Sequence, residues 1–244
     1  MTGGFVPNPI HHRANGPAPT DIQVYRTEEI AHAHPVANGQ HITEAPLPER
    51  CLDAFYHYFH ASHPFVLPKN FLLPLVKDSS MDPLLAAMRW CGSLYLTKVD
   101  PAAKSNLLDD AIRLIDHPPV RDGFLVQALM ILIVALDGNC RQDQAKDLLL
   151  RAEQLALELH LNTRAFATTY GRGLAVVEES WRRTWWDLFI IDGMIAGVHQ
   201  ATNFNLYDVP ADVALPCEEL QYKSGVSPGH SLSELPSGSN SIYR

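Results

Sequence analysis

The sequence predicts an all-α fold, an irregular multi-helix bundle of about seven helices between residues 48 and 200, with disordered N- and C-terminal ends. Apolar residues recur at the 3.6-residue helical period in several stretches. Two stretches, 124–136 and 178–197, are apolar almost all round, which is typical of helices buried on several sides. Prolines and glycines separate the stretches, as expected at helix ends.

Composition divides the chain into three segments. Residues 1–45 are rich in Pro, Gly, Asn and His without periodicity, so they cannot bury enough apolar surface to offset chain entropy. The same argument applies to residues 223–244, which include seven serines. We therefore predict a disordered N-terminal segment at 1–45, a helical domain at 46–222 and a disordered tail at 223–244.

The first predicted helix begins after Pro46 or Pro48. Its apolar stripe, at i, i+3, i+4 and i+7, consists of Leu52, Phe55, Tyr56 and Phe59. A D-x3-H-x2-H-x2-H spacing flanks the stripe and joins Asp53, His57, His60 and His63. Such side chains can bind a metal. A histidine cluster on one helix lacks the closed second shell that a metal site needs, so we favour a structural role.

Three helical stretches come next. They comprise a short proline-bounded piece at 71–76 and two longer helices at 82–97 and 101–116. Asp82 precedes Pro83, as an N-cap followed by proline at the first helical position. A His-Pro-Pro run ends the last of the three helices.

Two further helices are predicted at 121–137 and 141–161. The turn between them is very short and contains Gly138, so the helices should lie antiparallel. The pair is also similar to a tetratricopeptide helix pair, but no second copy follows at a fixed period. A polar connection at 162–173 leads to the next helix.

The stretch 178–197 is the predicted central helix. At 100° per residue, Trp181 and Trp185 share a broad apolar face, and Asp192 falls in the middle of it. A carboxylate there must be ion-paired or hydrogen-bonded, so we predict a buried tie to an arginine or to backbone amides. Arg183 and Asp187 lie one turn apart and are predicted to share an exposed strip.

The same helix carries a sequence signature. It consists of Arg182, Arg183, Trp185, Trp186 and, after five residues, Asp192. This pattern resembles the fungal-specific transcription factor domain, the middle homology region of fungal zinc-cluster regulators, also called the xylanolytic-activator-type regulatory domain. The acidic segment 205–216, which ends in Leu215-Pro216, resembles the segment that follows this helix in the family. The resemblance reaches back to about residue 50.

The resemblance implies the regulatory domain of a nuclear transcription factor that controls DNA-templated transcription, in a family that binds zinc and DNA through a six-cysteine cluster. The four cysteines here are Cys51, Cys91, Cys140 and Cys217. Their gaps are too wide for a zinc cluster, so we expect no cofactor in this chain. DNA contact should then come only through a missing or separate zinc-cluster module. The sequence is either a piece of a longer regulator or a regulator without its own DNA-reading module.

The net charge and the length of the longest apolar run limit the classes of partner that we expect. The net charge of -8 has the wrong sign for a nucleic-acid surface, which depends on basic patches. The longest apolar run, 124–136, is shorter than the ~20 residues of a membrane-spanning helix. We therefore expect protein partners from the transcription machinery, or a second copy of the chain as a homodimer, and no membrane contact.

No catalytic motif supports an enzyme. The sequence has no nucleophile elbow, phosphate-binding loop or dinucleotide fingerprint. Adjacent acids such as Glu178-Glu179 diverge by about 100° on a helix, and we interpret them as solvated. The alternative to a transcription regulator is an all-helical scaffold or a small-ligand-binding module with no role at DNA.

Overall fold

The computed structural model describes residues 45–76, 79–200 and 204–225. Within these ranges all regular structure is helical, which confirms the predicted all-α fold. The helices are α1 (Leu47–Ala54), α2 (Lys69–Leu75), α3 (Asp82–Leu94), α4 (Pro101–Asp116), α5 (Gly123–Gly138), α6 (Gln142–Glu158), α7 (Arg164–Tyr170), α8 (Ala175–Val198) and α9 (Glu219–Ser224). A π-helical turn, Phe55–Phe59, continues α1, and a 3₁₀ turn, Ser79–Met81, leads into α3.

Seven of the helices occupy the seven predicted stretches, and two are additional. Helix α7 lies within the stretch 162–173, which the sequence suggested to be a polar connection. Helix α9 crosses the predicted domain boundary at residue 222. Each is too short to carry a long apolar stripe, the signal that revealed the long helices, and neither has a proline within one residue of each end as the similarly short α2 has. The ends predicted to be disordered, 1–45 and 223–244, lie almost wholly outside the described residues.

A side-chain hydrogen bond caps the start of two of the described helices, α4 at Asp100 and α5 at Asp122. Asp122 caps α5, because its carboxylate accepts the backbone N–H groups of Phe124 at 3.0 Å and Leu125 at 3.1 Å. Asp82 was predicted as a similar cap, but it is the first residue of α3 and Met81 occupies the cap position. The prediction fails because the 3₁₀ turn runs directly into the helix, leaving no extended residue to act as a cap.

Helix α5 is the centre of the core. Most of its side chains are buried, and it packs against α3, α6 and α8. Arg121, just before α5, meets Glu158 at the end of α6, with 2.5 Å between Nη2 and Oε2, so the two helices are antiparallel as predicted. Among the described residues, no helix is both long and apolar enough to cross a membrane.

A buried loop, Phe65–Val66–Leu67, closes the core beside α8. Buried carbonyl groups need donors, and side chains supply them here. The ring of His60 donates through Nε2 to the Val66 carbonyl at 2.7 Å, and the Tyr56 hydroxyl donates to the Leu67 carbonyl at 2.9 Å. The loop is therefore held by the helix that precedes it.

The histidine spacing at the first helix is not assembled into a metal site. His60 is buried and bonded to the Val66 carbonyl, whereas His57 is exposed. Asp53 forms an ion pair with Lys69. Within the ranges the structure describes, no group of three His, Cys, Asp or Glu side chains is placed to hold a metal ion.

Candidate functional site: the return segment on the central helix

After α8 the chain turns back and lies against that helix. We call residues 204–225 the return segment. Four side chains of α8 bond its backbone, and they are Glu179, Arg183, Trp186 and Asp192. Three of the four belong to the sequence signature, so the signature defines how this segment is attached.

Glu179 is the hub of this attachment and is only 2% exposed. Its Oε1 accepts hydrogen bonds from Arg183 Nε at 3.0 Å and from the Cys217 backbone N–H at 2.7 Å. Its Oε2 accepts from Arg182 Nε at 2.8 Å. The prediction that the Glu178-Glu179 pair is solvated is wrong for Glu179, because the return segment covers that side of the helix.

Arg183 is buried, with each of its guanidinium nitrogens bonded. Besides Glu179, it donates through Nη2 to the Cys217 carbonyl at 2.7 Å and through Nη1 to the Pro64 carbonyl at 3.5 Å. Its guanidinium carbon also lies 4.4 Å from the ring centroid of Tyr222 in α9. The prediction of an exposed strip containing Arg183 is therefore wrong, since long-range contacts cover the residue.

Asp187, the other member of that predicted strip, is half-buried. Burial raises the pKa of its carboxyl to about 6, and the positive charge of Arg183 acts in the opposite direction. No hydrogen bond joins this carboxyl to any other residue in the described part of the chain. Asp187 therefore makes no hydrogen bond to the return segment in the described part of the chain.

Trp186 and Asp192 hold the first half of the return segment. The Trp186 indole N–H donates to the Ala214 carbonyl at 3.1 Å. Asp192 is 3% exposed, and its Oδ2 accepts the Leu206 backbone N–H at 2.8 Å. The buried tie to a backbone amide that was predicted for Asp192 is thus present, and its partner belongs to the return segment.

A second carboxyl group lies beside Asp192. Glu153 of α6 is 5% exposed, and its Oε2 accepts a hydrogen bond from the Asn205 side chain at 2.8 Å. Burial, opposed by the hydrogen bond from Asn205 and assisted by the neighbouring charge of Asp192, raises the pKa of Glu153 to about 7. Burial also raises the pKa of Asp192, against the effect of the Leu206 N–H. Glu153 Oε1 is buried without a hydrogen-bond partner among the described residues, so the hydrogen bonds of the two carboxyl groups are those with Asn205 and Leu206.

The two other tryptophans of α8 face the core. The Trp181 indole N–H donates to the Tyr170 carbonyl at 3.1 Å, which joins α8 to α7. Trp185 is 1% exposed, and its indole N–H has no acceptor among the described residues. Trp185 therefore acts through packing.

The Leu215-Pro216 pair of the signature lies on the surface, and Leu215 is 75% exposed. The residues on either side of the pair make the hydrogen bonds to α8 instead. Ala214 accepts the hydrogen bond of Trp186, and Cys217 bonds Glu179 and Arg183. The pair sits between two anchor points and makes none itself.

A buried polar cluster joins the return segment to the core. The Phe65 carbonyl accepts hydrogen bonds from Gln127 Nε2 at 3.2 Å, Ser180 Oγ at 2.8 Å and the Tyr222 hydroxyl at 3.5 Å. Sequence reasoning missed this cluster, although Gln127 was a signal, as a lone amide in a wholly apolar run. The E-x-x-R-R spacing from Glu179 was likewise a readable i,i+3 and i,i+4 signal.

These contacts are those of a packed structural interface. The charged groups are bonded to one another or to backbone, and in the described residues they surround no metal-binding group. The cysteines do not fit a zinc cluster, since Cys51 and Cys91 are buried, Cys140 is exposed and Cys217 is half-buried at the return segment. The site therefore positions chain segments.

Comparison with known proteins identifies the family to which the chain belongs. The sequence model of the fungal specific transcription factor domain matches residues 52–241. The chain belongs to this family, whose members are transcription factors and not enzymes.

One curated relative is a C6 finger domain transcription factor, iacK, from Pestalotiopsis fici (strain W106-1 / CGMCC3.15140). The two sequences are 45% identical over 232 residues, which cover 92% of this chain and 34% of the relative. The chain therefore spans about a third of the length of the relative it matches. No solved structure matches this chain.

Proposed function

We propose that the chain is the regulatory domain of a nuclear transcription factor and controls DNA-templated transcription without catalysing a reaction. The observation that carries this proposal is the family match over 52–241, which spans α8, its signature and the return segment. The name of the relative, a C6 finger domain transcription factor, supports it.

DNA contact in this proposal comes from a separate zinc-cluster module. The acidic net charge of the whole chain, -8, opposes a direct nucleic-acid surface on it. The cysteines are too dispersed to bind a zinc cluster, so we propose that this chain carries no cofactor. The partners of the domain are then proteins of the transcription machinery or a second copy of the chain.

A reporter assay tests the regulatory role. The chain is fused to a heterologous DNA-binding domain in a fungal host, and a reporter with basal expression carries the matching sites. We expect a several-fold change in reporter output relative to the DNA-binding domain alone. The change should be lost in Arg183→Gln, which breaks the attachment of the return segment, and kept in Arg141→Gln, whose side chain is exposed. Output equal to that of the DNA-binding domain alone, at equal protein levels, contradicts the proposal.

A binding assay tests the separate DNA module. The isolated chain at physiological salt should bind DNA weakly and without sequence preference, and elemental analysis should find no stoichiometric zinc. Nanomolar, sequence-selective binding by the purified chain, or one or more zinc ions per chain, contradicts this part of the proposal.

A further inference from the structure

A cavity of about 300 Å³ lies where α5, α6, α7 and α8 meet, away from the contacts of the return segment. The residues that line it include Val120, Phe124, Phe166, Tyr170, Arg172 and Trp181. The volume is at the lower end of the range of small-molecule pockets, about 300–1,000 Å³. A ligand of one or two fused rings fits this space.

The walls of the cavity are aromatic and fixed in place. The rings of Phe124 and Phe166 lie edge-on to Trp181, with centroid distances of 4.7 and 5.8 Å. Trp181 is 4% exposed, and its indole N–H is bonded to the Tyr170 carbonyl, so the ring has a single orientation. Gly123 starts α5 against this ring, because a Cβ there would lie 2.6 Å from it. Such walls favour a flat, unsaturated ligand through edge and face contacts.

Two arginines line the cavity, and they differ in whether a carboxylate of the described chain pairs with them. Arg121 is paired with Glu158, with 2.5 Å between Nη2 and Oε2. The Asp122 carboxylate is bonded to the first N–H groups of α5, so its charge is partly offset. Arg172 is exposed, and no carboxylate of the described chain pairs with it. A guanidinium in this state is suited to the paired oxygens of a carboxylate.

We propose that this cavity binds a small planar aromatic carboxylate, with its ring against Trp181 and its carboxylate on Arg172. The walls supply apolar stacking, and the Arg172 guanidinium supplies orientation and selectivity for an anion. A regulatory consequence of binding rests on the proposed transcriptional role. The binding itself does not, so a solution measurement distinguishes a failed pocket from a failed regulatory function.

Calorimetric titration of the full 244-residue chain tests the proposal with two isosteric probes, 2-naphthoate and the uncharged 2-naphthamide. We expect naphthoate to bind at one site and at least several-fold more tightly than the amide. Arg172→Gln should weaken naphthoate about tenfold and leave naphthamide unchanged, because only the charged contact is lost. Arg141→Gln, an exposed arginine at the other end of the α5–α6 pair, is the matched control and should bind as the parent does.

Val120→Trp locates the site. Val120 is 45% exposed at the cavity, so a larger ring there blocks access without replacing a core side chain. Naphthoate binding should be lost while the thermal unfolding midpoint stays at that of the parent. Three results overturn the proposal: no naphthoate binding by the folded parent, equal affinity for both probes, or full affinity in Arg172→Gln. If the Val120→Trp variant unfolds, the affinity of Arg172→Gln for naphthoate still tests the proposal.

Discussion

Glu179 and Arg183 lie one turn apart on α8 and form a buried ion pair, with 3.0 Å between Arg183 Nε and Glu179 Oε1. Both residues also bond the backbone of Cys217, Glu179 through the N–H and Arg183 through the carbonyl. A single peptide position of the return segment is thus held by both halves of the pair. The attachment of the segment and the neutralisation of the buried charges therefore depend on each other.

Glu179→Ala should destabilise the domain strongly. The substitution leaves Arg183 buried without its anion, and breaking one side of a buried pair costs about 3–5 kcal/mol. Glu178→Ala is the matched control, because Glu178 is more exposed and its pair with Arg182 is longer, at 3.8 Å. Its loss should lower the free energy of unfolding by less than about 1 kcal/mol. Urea titration followed by tryptophan fluorescence measures both values. Equal unfolding midpoints for the two variants would show that Glu179 is not the hub.

Asp192→Ala should loosen the first half of the return segment. The Leu206 N–H is buried with the carboxylate as its acceptor, and an unsatisfied buried donor costs about 1–3 kcal/mol. Asp187→Ala should change little, because the Asp187 carboxyl has no hydrogen-bonded partner in the described chain. Hydrogen exchange at the Leu206 amide, together with a urea titration, separates the two cases. A Leu206 amide that stays as protected as in the parent contradicts the role given to Asp192.

Glu153→Gln should make the domain more stable at alkaline pH. Folding raises the pKa of Glu153 from 4.5 to about 7, so the native state binds a proton that the unfolded state releases. This contribution is complete below about pH 4.5 and is lost as pH rises through about 7. Glutamine does not ionise, so the variant should exceed the parent by about 2–3 kcal/mol at pH 8 and by little at pH 5.

The control for this prediction is Glu158→Gln on the same helix, where the side chain is exposed. It should show the same pH dependence as the parent. Unfolding free energies from urea titrations at pH 5 and pH 8 give the comparison, and contributions from groups that do not interact with Glu153, such as Asp187, cancel between parent and variant. A Glu153→Gln variant with the parent's slope would show that Glu153 is ionised in the native state.

The sequence was sufficient to predict the long helices, because each displays a local signal, the apolar period. It was not sufficient for α7 and α9, which have seven and six residues and take their stability from packing. The same limit explains Arg183. A helical wheel placed it on an exposed strip, but its partners lie 34 and 119 positions away in the chain, at Cys217 and Pro64.

The candidate site likewise has a part that the sequence predicts and a part that it does not. The signature directed attention to the right helix, since Arg183, Trp186 and Asp192 all contact the return segment. Their partners are backbone groups, which have no residue-specific signal in a sequence. Glu153 came from another helix and was not predicted at all, because nothing local distinguishes it from a solvated acid.

The two adjacent arginines of the signature test the central structural claim, that the signature attaches the return segment. Arg183 crosses to Cys217 and Tyr222, whereas the ion pairs of Arg182 are with Glu178 and Glu179 on α8 itself. The measurement is amide hydrogen exchange of peptides covering 204–225 in Arg183→Gln and Arg182→Gln. We predict that Arg183→Gln abolishes protection of the peptide containing Cys217, while Arg182→Gln keeps it and α5 stays protected in both. Equal protection of that peptide in the parent and in Arg183→Gln would contradict the account.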